Sequence, residues 1–387
     1  MMYYLLPILI GFFYGLNSKH FKLDSKIKKN IKKFLIYFSG FIFCSGYMTG
    51  SDWIYYEVLY NEFNIKNINI FEKDPFFYVL IFLFKNLGFS FFLFLVIMKS
   101  LVFFIIVRFL NKYSGEHFVL SFSIFLCTNA LFIFIDNPLR YMIALGFVIL
   151  AFEYLIKTKF LIFILLVVVA FMFHISSLIV IFAYFFKVNK ISKFKLYSMY
   201  IAITVVLTPA TIIKMIEVLP SWTKLLISSY YRRFIEEQSN NYYSIGWFFT
   251  HILFLFILFN KDKIIRSSEF GHKIFNMSVF YFFLIAIFSL IPTFFRVPIY
   301  FAVFMYLSLA ISLYNINKNL LIKSFFVLYL LTANIKNIYS THVYIPYSNY
   351  FVHLFKIDLP YQYRIQYNRN EYFKRTGEMP PEYIPSE

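Results

Sequence analysis

The chain has 387 residues, of which 60% are hydrophobic, 24% are aromatic and only 14% are charged. This composition excludes an ordinary soluble domain and predicts an all-α, polytopic integral membrane protein. The formal net charge is +18, but the basic residues lie in short clusters between apolar runs, a pattern typical of membrane topology signals and not of a nucleic-acid-binding surface. The two cysteines, Cys44 and Cys127, lie inside apolar runs, and their spacing indicates neither disulfides nor a metal site.

Apolar runs recur along the chain, and about 20 apolar residues suffice to cross a bilayer. We predict about twelve spans, at residues 3–16, 34–48, 90–110, 117–135, 139–156, 160–174, 176–186, 196–216, 245–260, 274–291, 297–314 and 322–339. The segment that follows Pro75 is apolar but short, with charge at both ends, and indicates a helix that lies at the membrane surface or inserts partly. The predicted organisation is a membrane domain over residues 1–339 and a tail over residues 340–387.

The distribution of lysine and arginine predicts which connections face the cytoplasm. The loop from Lys19 to Lys33 contains seven lysines and one aspartate, so we assign it to the cytoplasmic side. Alternate connections then hold more than half of the 37 lysine and arginine residues. Residues 49–89, residues 217–244 and the tail are consequently predicted on the extracytoplasmic face.

Ionisable side chains near the predicted outer ends of the spans are informative because charge at membrane depth is costly. Those that we single out are Asp52, Asp136, Arg140, His174, Arg296 and the pair Arg232 and Arg233. Each has a less specific alternative: an arginine can reach lipid headgroups, a histidine can hydrogen-bond between helices, and an aspartate can cap a helix. Their convergence on one predicted face favours a shared function.

The residue types on this face match one chemistry. Arginine offers a planar fork for diphosphate oxygens, aromatic rings stack on sugars, and a carboxylate or a histidine can accept a hydroxyl proton. The aromatic side chains that accompany the charged ones include Trp53, Tyr55, Tyr56 and Tyr141. Together these residues suit sugar transfer from a lipid diphosphate.

Signals of several other chemistries are missing from the sequence. It contains no GxxxxGK(S/T), HExxH or GxSxG pattern, so ATP-driven transport, zinc proteolysis and serine hydrolysis lack their usual motifs. It also contains no DxD pair that would hold the metal of a nucleotide-sugar donor. We therefore expect no metal and no cofactor.

Three segments in this order, GSDWIYYEVLYNEF, then DPFFYVLIFLFKNLGFSFF, then NPLRYMIALGFVIL with AFMFHISSL, resemble the EpsG family of bacterial exopolysaccharide proteins. That family is regarded as Wzy-type repeat-unit polymerases. The residues that carry the resemblance are Asp52, Arg140 with Ala144, and Ala170 with His174 and Ser176. Tyr141 departs from the pattern, since the family often has glutamine there.

The resemblance implies a GT-C-like glycosyltransferase of the bacterial inner membrane with an extracytoplasmic active face. The donor would be a growing glycan on undecaprenyl diphosphate, the acceptor a lipid-linked oligosaccharide repeat unit, and the product O-antigen, capsule or exopolysaccharide. A chain-length regulator is implied as a partner. In the mechanism that we hypothesise, the diphosphate is bound by Arg140 and Arg296, helped by Arg232 and Arg233. Asp52 or His174 deprotonates the acceptor, and Asp136 orients an arginine or the base.

Other function classes fit the sequence less well. A lipid-linked oligosaccharide flippase would also have about twelve spans, but we would expect two related halves and a charged central cavity. A membrane acyltransferase would need polar residues at mid-depth beside its histidine. A ligase that moves finished glycan is chemically close to a polymerase, and the sequence separates these two weakly.

Overall fold

The computed structural model of the protein describes residues 1–18, 21, 24–64, 74–186, 191–207, 211, 214, 245–288, 294–316, 320–354 and 361–376. Within these ranges the chain is helical and has no strand, only one isolated antiparallel bridge between Gly46 and Asn349. The chain divides into two compact units, which are described separately. Unit one comprises Met1–Leu178 with Ile316–Glu387, and unit two comprises Ile179–Asn315.

The helices are numbered in chain order. Those of unit one are α1 Met2–Asn17, α2 Ser25–Cys44, α3 Trp53–Glu62, α4 Pro75–Asn86, α5 Phe91–Ser114, α6 Phe118–Thr128, α7 Leu139–Ile156, α8 Phe160–Phe173, α16 Leu320–Ser340, α17 Tyr350–His353 and α18 Tyr361–Thr376. Those of unit two are α9 Ala183–Phe186, α10 Lys193–Val206, α11 Ile245–Phe259, α12 Lys261–Arg266, α13 Gly271–Phe288, α14 Arg296–Ile299 and α15 Ala302–Tyr314.

The prediction of an all-α membrane protein is confirmed. Among the described residues, four apolar helical segments are long enough to cross a bilayer: Phe91–Thr128, Leu139–Ile156, Gly271–Phe288 and Leu320–Ser340. Shorter apolar helices are Met2–Asn17, Pro75–Asn86, Phe160–Phe173, Ile175–Phe186, Ile245–Phe259 and Ala302–Tyr314. The count of twelve spans and the GT-C-like arrangement stay predictions.

The longest apolar segment folds back on itself. Gly115 has φ +55 and separates α5 from α6. The ring of Phe103 on α5 lies 6.0 Å from that of Phe122 on α6 and 5.7 Å from that of Phe134. In one continuous helix, Phe103 would lie roughly 28 Å from Phe122 and roughly 46 Å from Phe134. The segment is therefore a helical hairpin, and each arm follows one of the predicted runs 90–110 and 117–135.

Helix α1 packs closely against α6 through two glycines one turn apart. A Cβ added at Gly11 would lie 2.1 Å from Ser123 Oγ, and one added at Gly15 would lie 3.1 Å from the backbone nitrogen of Leu120. This small-xxx-small spacing lets two helix backbones approach, as it does between transmembrane helices.

The lysine-rich segment predicted as a loop over residues 19–33 is helical from Ser25 onward. Lysine is a good helix former, so α2 begins within the basic cluster and continues into the apolar run. The described lysines there, apart from one, are exposed, and Lys32 donates to Asn111 Oδ1 on α5.

Unit two has its own packed core. Tyr200 on α10 is fully buried, with its ring 4.1 Å from that of Phe254 on α11 and 6.2 Å from that of Phe283 on α13. At one end of the same unit, Lys193 and Asp262 form an exposed ion pair at 2.6 Å. Exposed ion pairs of this kind contribute little to stability.

Candidate functional site

Arg140 lies in the first turn of α7, just after Pro138. Its guanidinium reaches both α3 and α4: Nη1 donates to Asp74 Oδ2 at 3.0 Å, and Nη2 donates to the Tyr55 hydroxyl at 3.2 Å. The side chain of Arg140 is only 15% exposed and that of Asp74 only 10%. Two charges this far removed from water depend on each other, since removing one leaves the other desolvated and unpaired.

Four aromatic rings surround the Arg140 guanidinium. Their centroids lie 5.2–5.9 Å from Cζ, and the rings are those of Tyr55 and Tyr56 on α3 and of Phe77 and Tyr78 on α4. Rings at this distance attract a cation through their negative faces and fix the plane of the guanidinium. We refer to these four rings together with Asp74 as the arginine cage.

Asp74 is the residue of the site that the sequence analysis missed. It directly precedes Pro75, the first residue of α4, and it adopts a left-handed backbone conformation with φ +66. A proline at the first helical position was recognised as the start of a helix, and aspartate is a preferred residue just before such a start. The signal for Asp74 was therefore available, but nothing in the sequence tied it to an arginine 66 positions later.

The glycine of the GSDW motif allows two loops to cross. Gly50 has φ +89, and a Cβ built there would lie 1.7 Å from the carbonyl oxygen of Ile135. The crossing is held by Asp52 N–H donating to the Asp136 carbonyl at 3.1 Å and by Asn137 Nδ2 donating to the Thr49 carbonyl at 2.7 Å. Only glycine fits at such a contact, so this crossing brings the start of α3 to the start of α7.

The two predicted carboxylates lie on either side of that crossing. Asp52 directly precedes α3, is half-buried, and accepts a hydrogen bond from Ser51 Oγ at 3.1 Å. Asp136 accepts from the Tyr344 hydroxyl at 2.8 Å. Burial and the neighbouring Asp136 raise the pKa of Tyr344, so the tyrosine keeps its proton and acts as the donor. The prediction that Asp136 orients an arginine or the base stays untested.

The residues after α16 return to this end of unit one. Gly50 N–H donates to the Val343 carbonyl at 3.1 Å, Tyr47 N–H donates to the Ser348 carbonyl at 3.0 Å, and Tyr350 N–H donates to the Ser45 carbonyl at 2.7 Å. The segment 341–350 is thus bonded along the loop 45–50. It belongs to the structure around the site, although the sequence analysis gave the tail no role there.

His174 follows α8 in an extended conformation and is half-buried. Its ring packs edge-to-face against that of Tyr141, with centroids 5.7 Å apart. Phe173, its neighbour, packs against Phe76 on α4 at 5.8 Å. Helix α7, which carries Arg140, therefore contacts His174, and α4, which begins just after Asp74, contacts its neighbour Phe173.

Of the four aromatic residues predicted to bind glycan, Tyr55 is the exposed one, at 38%. Trp53 and Tyr56 are buried, and Tyr141 is fully buried. The Trp53 ring lies 5.9 Å from that of Phe92, in packing between α3 and α5. In this state Tyr55 presents the most accessible ring to a sugar.

Three further arginines were predicted to bind the diphosphate. Arg296 belongs to unit two, where it begins α14 with its guanidinium 5.6 Å from the ring of Phe295. Arg232 and Arg233 lie outside the described residues. Of the predicted arginines, Arg140 is the one that the structure brings together with the predicted aromatic residues Tyr55 and Tyr56, and the role of the other three stays a prediction.

Lys99 is a second ionisable residue that the sequence analysis passed over. It is fully buried on α5, and its Nζ has no hydrogen-bond partner in the part of the chain that the structure describes. Buried lysines inside membrane segments are rare and costly. Its position within the predicted span 90–110 makes it a clear exception to the clustering of charge at the span ends.

Within the described ranges, no group of three or more histidine, cysteine, aspartate or glutamate residues is placed to hold a metal ion. The chain matches the family model described as the EpsG family over residues 3–350. No curated protein and no solved structure matches it. The match covers the loop crossing, the arginine cage and the His174 segment together. The chain belongs to the EpsG family, a family of Wzy-like polymerases.

Proposed function

We propose that this protein polymerises a bacterial surface glycan from lipid-linked repeat units. The growing chain would be transferred from undecaprenyl diphosphate to the non-reducing end of an incoming undecaprenyl-diphosphate-linked repeat unit. Membership of a Wzy-like polymerase family supports the reaction class. The observation that carries the donor chemistry is Arg140, a buried guanidinium that already binds an anion among aromatic rings.

Arg140 suits the donor diphosphate for three reasons. Its charge is permanent, and its planar fork matches phosphate oxygens. It lies in the first turn of α7, where the helix dipole also favours an anion. The four rings shield it from water, which strengthens its interaction with a charge that develops as the donor bond breaks.

The transfer step needs a base and a leaving group. The acceptor hydroxyl oxygen forms the new bond to the anomeric carbon while the bond from that carbon to the phosphate oxygen breaks. The bonding electron pair leaves on undecaprenyl diphosphate, whose growing charge Arg140 stabilises. The hydroxyl proton goes to Asp52 or His174, the two candidate bases. Asp52 precedes the helix that carries Tyr55, and His174 packs on the residue next to Arg140.

Further binding groups are proposed from the sequence. Arg296, Arg232 and Arg233 remain additional candidates for the diphosphate, and Tyr55 is the proposed stacking surface for a sugar ring. The positive-inside pattern supports an extracytoplasmic active face in the inner membrane. Because undecaprenyl diphosphate is a good leaving group, the reaction requires no metal.

Reconstitution tests the proposal directly. The purified full-length protein in liposomes receives the synthetic repeat unit on undecaprenyl diphosphate, and products are resolved as a ladder by gel. We expect chain growth in the wild type, undiminished by EDTA, and its loss in Arg140→Gln. The matched control is Arg266→Gln, an exposed arginine at the end of α12, which should leave the ladder unchanged. Lipid-linked units that cross the bilayer without becoming longer would indicate a flippase and contradict the proposal.

A further inference from the structure

We infer that Asp74 makes the site selective for a lipid diphosphate over lipids that carry a single phosphate. It would do so as the resting counterion of Arg140, which an incoming ligand must displace. This inference rests on the proposed function, in which Arg140 binds the donor diphosphate. It concerns a residue to which neither the sequence motifs nor the family membership gives a role.

The ion pair is largely withdrawn from water. Both side chains are mostly buried, the pair is closed at 3.0 Å, and aromatic rings cover the guanidinium. A buried guanidinium without a counterion would be strongly unfavourable. Any anion that binds Arg140 therefore replaces Asp74, because two anions in one fork would repel each other in a site of low dielectric.

How favourably an incoming anion displaces Asp74 from Arg140 depends on the charge of that anion. A phosphodiester headgroup carries one negative charge, as the Asp74 carboxylate does. Replacing Asp74 by such a headgroup therefore adds little to the attraction at Arg140. A sugar diphosphate esterified at both ends carries two negative charges, and its attraction to Arg140 is larger. Diester headgroups far outnumber the donor in a bilayer, and a counterion that only the diphosphate displaces would keep the site from filling with them.

Arg140 also has an unused donor. Nη1 donates to Asp74 and Nη2 to Tyr55, whereas Nε is buried and has no hydrogen-bond partner among the described residues. The carboxylate contacts Arg140 through one oxygen, Oδ2. A diphosphate has enough oxygens to engage Nε as well, so the exchange adds a charge-assisted hydrogen bond that the resting pair lacks.

The backbone at Asp74 favours its release. Its φ of +66 places it in the left-handed region, which non-glycine residues adopt rarely, although aspartate does so more readily than most. A residue that directly precedes a proline prefers an extended backbone, so release of the carboxylate from Arg140 would let Asp74 relax toward that conformation.

The test compares two ligands that differ in one phosphate. The probes are a polyprenyl-diphospho-sugar and the polyprenyl-monophospho-sugar with the same lipid and the same sugar. Their affinities for the purified full-length protein are measured by native mass spectrometry or by competition with a fluorescent analogue. The variants are the wild type, Asp74→Asn, Asp74→Glu and Arg140→Gln. The control is Glu62→Gln, an exposed acid at the end of α3.

We expect the wild type to favour the diphosphate by about tenfold or more. Asp74→Asn should bind the monophosphate more tightly, so that the ratio of the two affinities falls several-fold. Asp74→Glu and Glu62→Gln should keep the preference for the diphosphate. The ratio is independent of the fraction of protein that is correctly folded, so partial misfolding of a variant does not obscure the result.

Two outcomes separate this inference from the proposed function. An unchanged ratio in Asp74→Asn, or weaker binding of both ligands to the same extent, would overturn the inference and leave Asp74 as a residue that only orients Arg140. Full affinity for the diphosphate in Arg140→Gln would instead overturn the proposed role of Arg140, whatever Asp74 does.

Discussion

Replacement of Gly50 by alanine should disrupt the site without touching any charged group. The new Cβ would lie 1.7 Å from the Ile135 carbonyl oxygen, a distance that no side chain tolerates, and φ at this position is +89. A non-glycine residue at positive φ costs about 1–2 kcal/mol. Separating the two loops would also break the hydrogen bonds from Asp52 N–H and Asn137 Nδ2, each worth about 1 kcal/mol.

The expected destabilisation of Gly50→Ala is therefore about 3 kcal/mol or more. Gly88→Ala is the matched control, because Gly88 also has positive φ, at +76, but an added Cβ would meet nothing within 4 Å. We expect this control to cost only the conformational part, about 1–2 kcal/mol.

The assay is the apparent melting temperature of each purified variant in the same detergent, at the same heating rate, combined with polymer synthesis in liposomes. Gly50→Ala should melt several degrees lower than Gly88→Ala and should lose activity that Gly88→Ala keeps. Equal melting temperatures with equal activity would refute the reasoning, since they would mean that the crossing of the two loops is not tight.

Three further changes test the packing of unit one. Tyr344→Phe removes the hydroxyl that donates to Asp136 and should lower the free energy of unfolding by about 1–3 kcal/mol. We expect faster proteolysis of the segment after α16. Unchanged proteolysis would show that this hydrogen bond does not hold the segment. Gly11→Ala should weaken the packing of α1 on α6, because the added Cβ would lie 2.1 Å from Ser123 Oγ. It should lower the melting temperature by more than Gly40→Ala, whose added Cβ would lie 3.2 Å from the ring of Phe103. Equal effects would argue against close helix contact. Lys112→Met removes the closer of two ion-pair partners of the buried Glu153 and leaves Arg108 at 3.7 Å. We expect it to lower the free energy of unfolding by about 1–3 kcal/mol. Lys112→Arg is the control that should restore the lost stability.

The helices and the membrane class were predictable because apolar runs and basic clusters are properties of local sequence. Arg140 was identified for the same reason, because a permanent charge next to an apolar run is recognisable in the sequence without knowledge of its partner. The GSDW motif was also found, and the structure adds what its glycine does. Gly50 is needed for the contact with the carbonyl of Ile135, 85 residues further along the chain, which no local pattern reveals.

What could not be predicted depends on contacts between distant parts of the chain. Asp74 and Arg140 are 66 residues apart, and Tyr344 and Asp136 are 208 apart. Both pairs form because α4 and the segment 341–350 pack against the start of α7, and that packing follows from the whole arrangement of helices. Trp53 was placed wrongly for the same reason. Its position in a loop predicted to face outward suggested a sugar-binding ring, but packing against α5 buries it.

The central claim is that Arg140 binds the donor diphosphate during chain growth, and complementation of the gene deletion in its host tests it most directly. Cells that carry Arg140→Gln or Arg140→Lys are compared with wild type and with the control Arg266→Gln. Surface glycan is resolved by gel, and lipid-linked intermediates are measured by mass spectrometry. We expect both Arg140 variants, present in the membrane at normal levels, to lose the long-chain ladder and accumulate single repeat units on undecaprenyl diphosphate. Lysine should rescue poorly because it lacks the planar fork. A full-length ladder in Arg140→Gln would contradict the account.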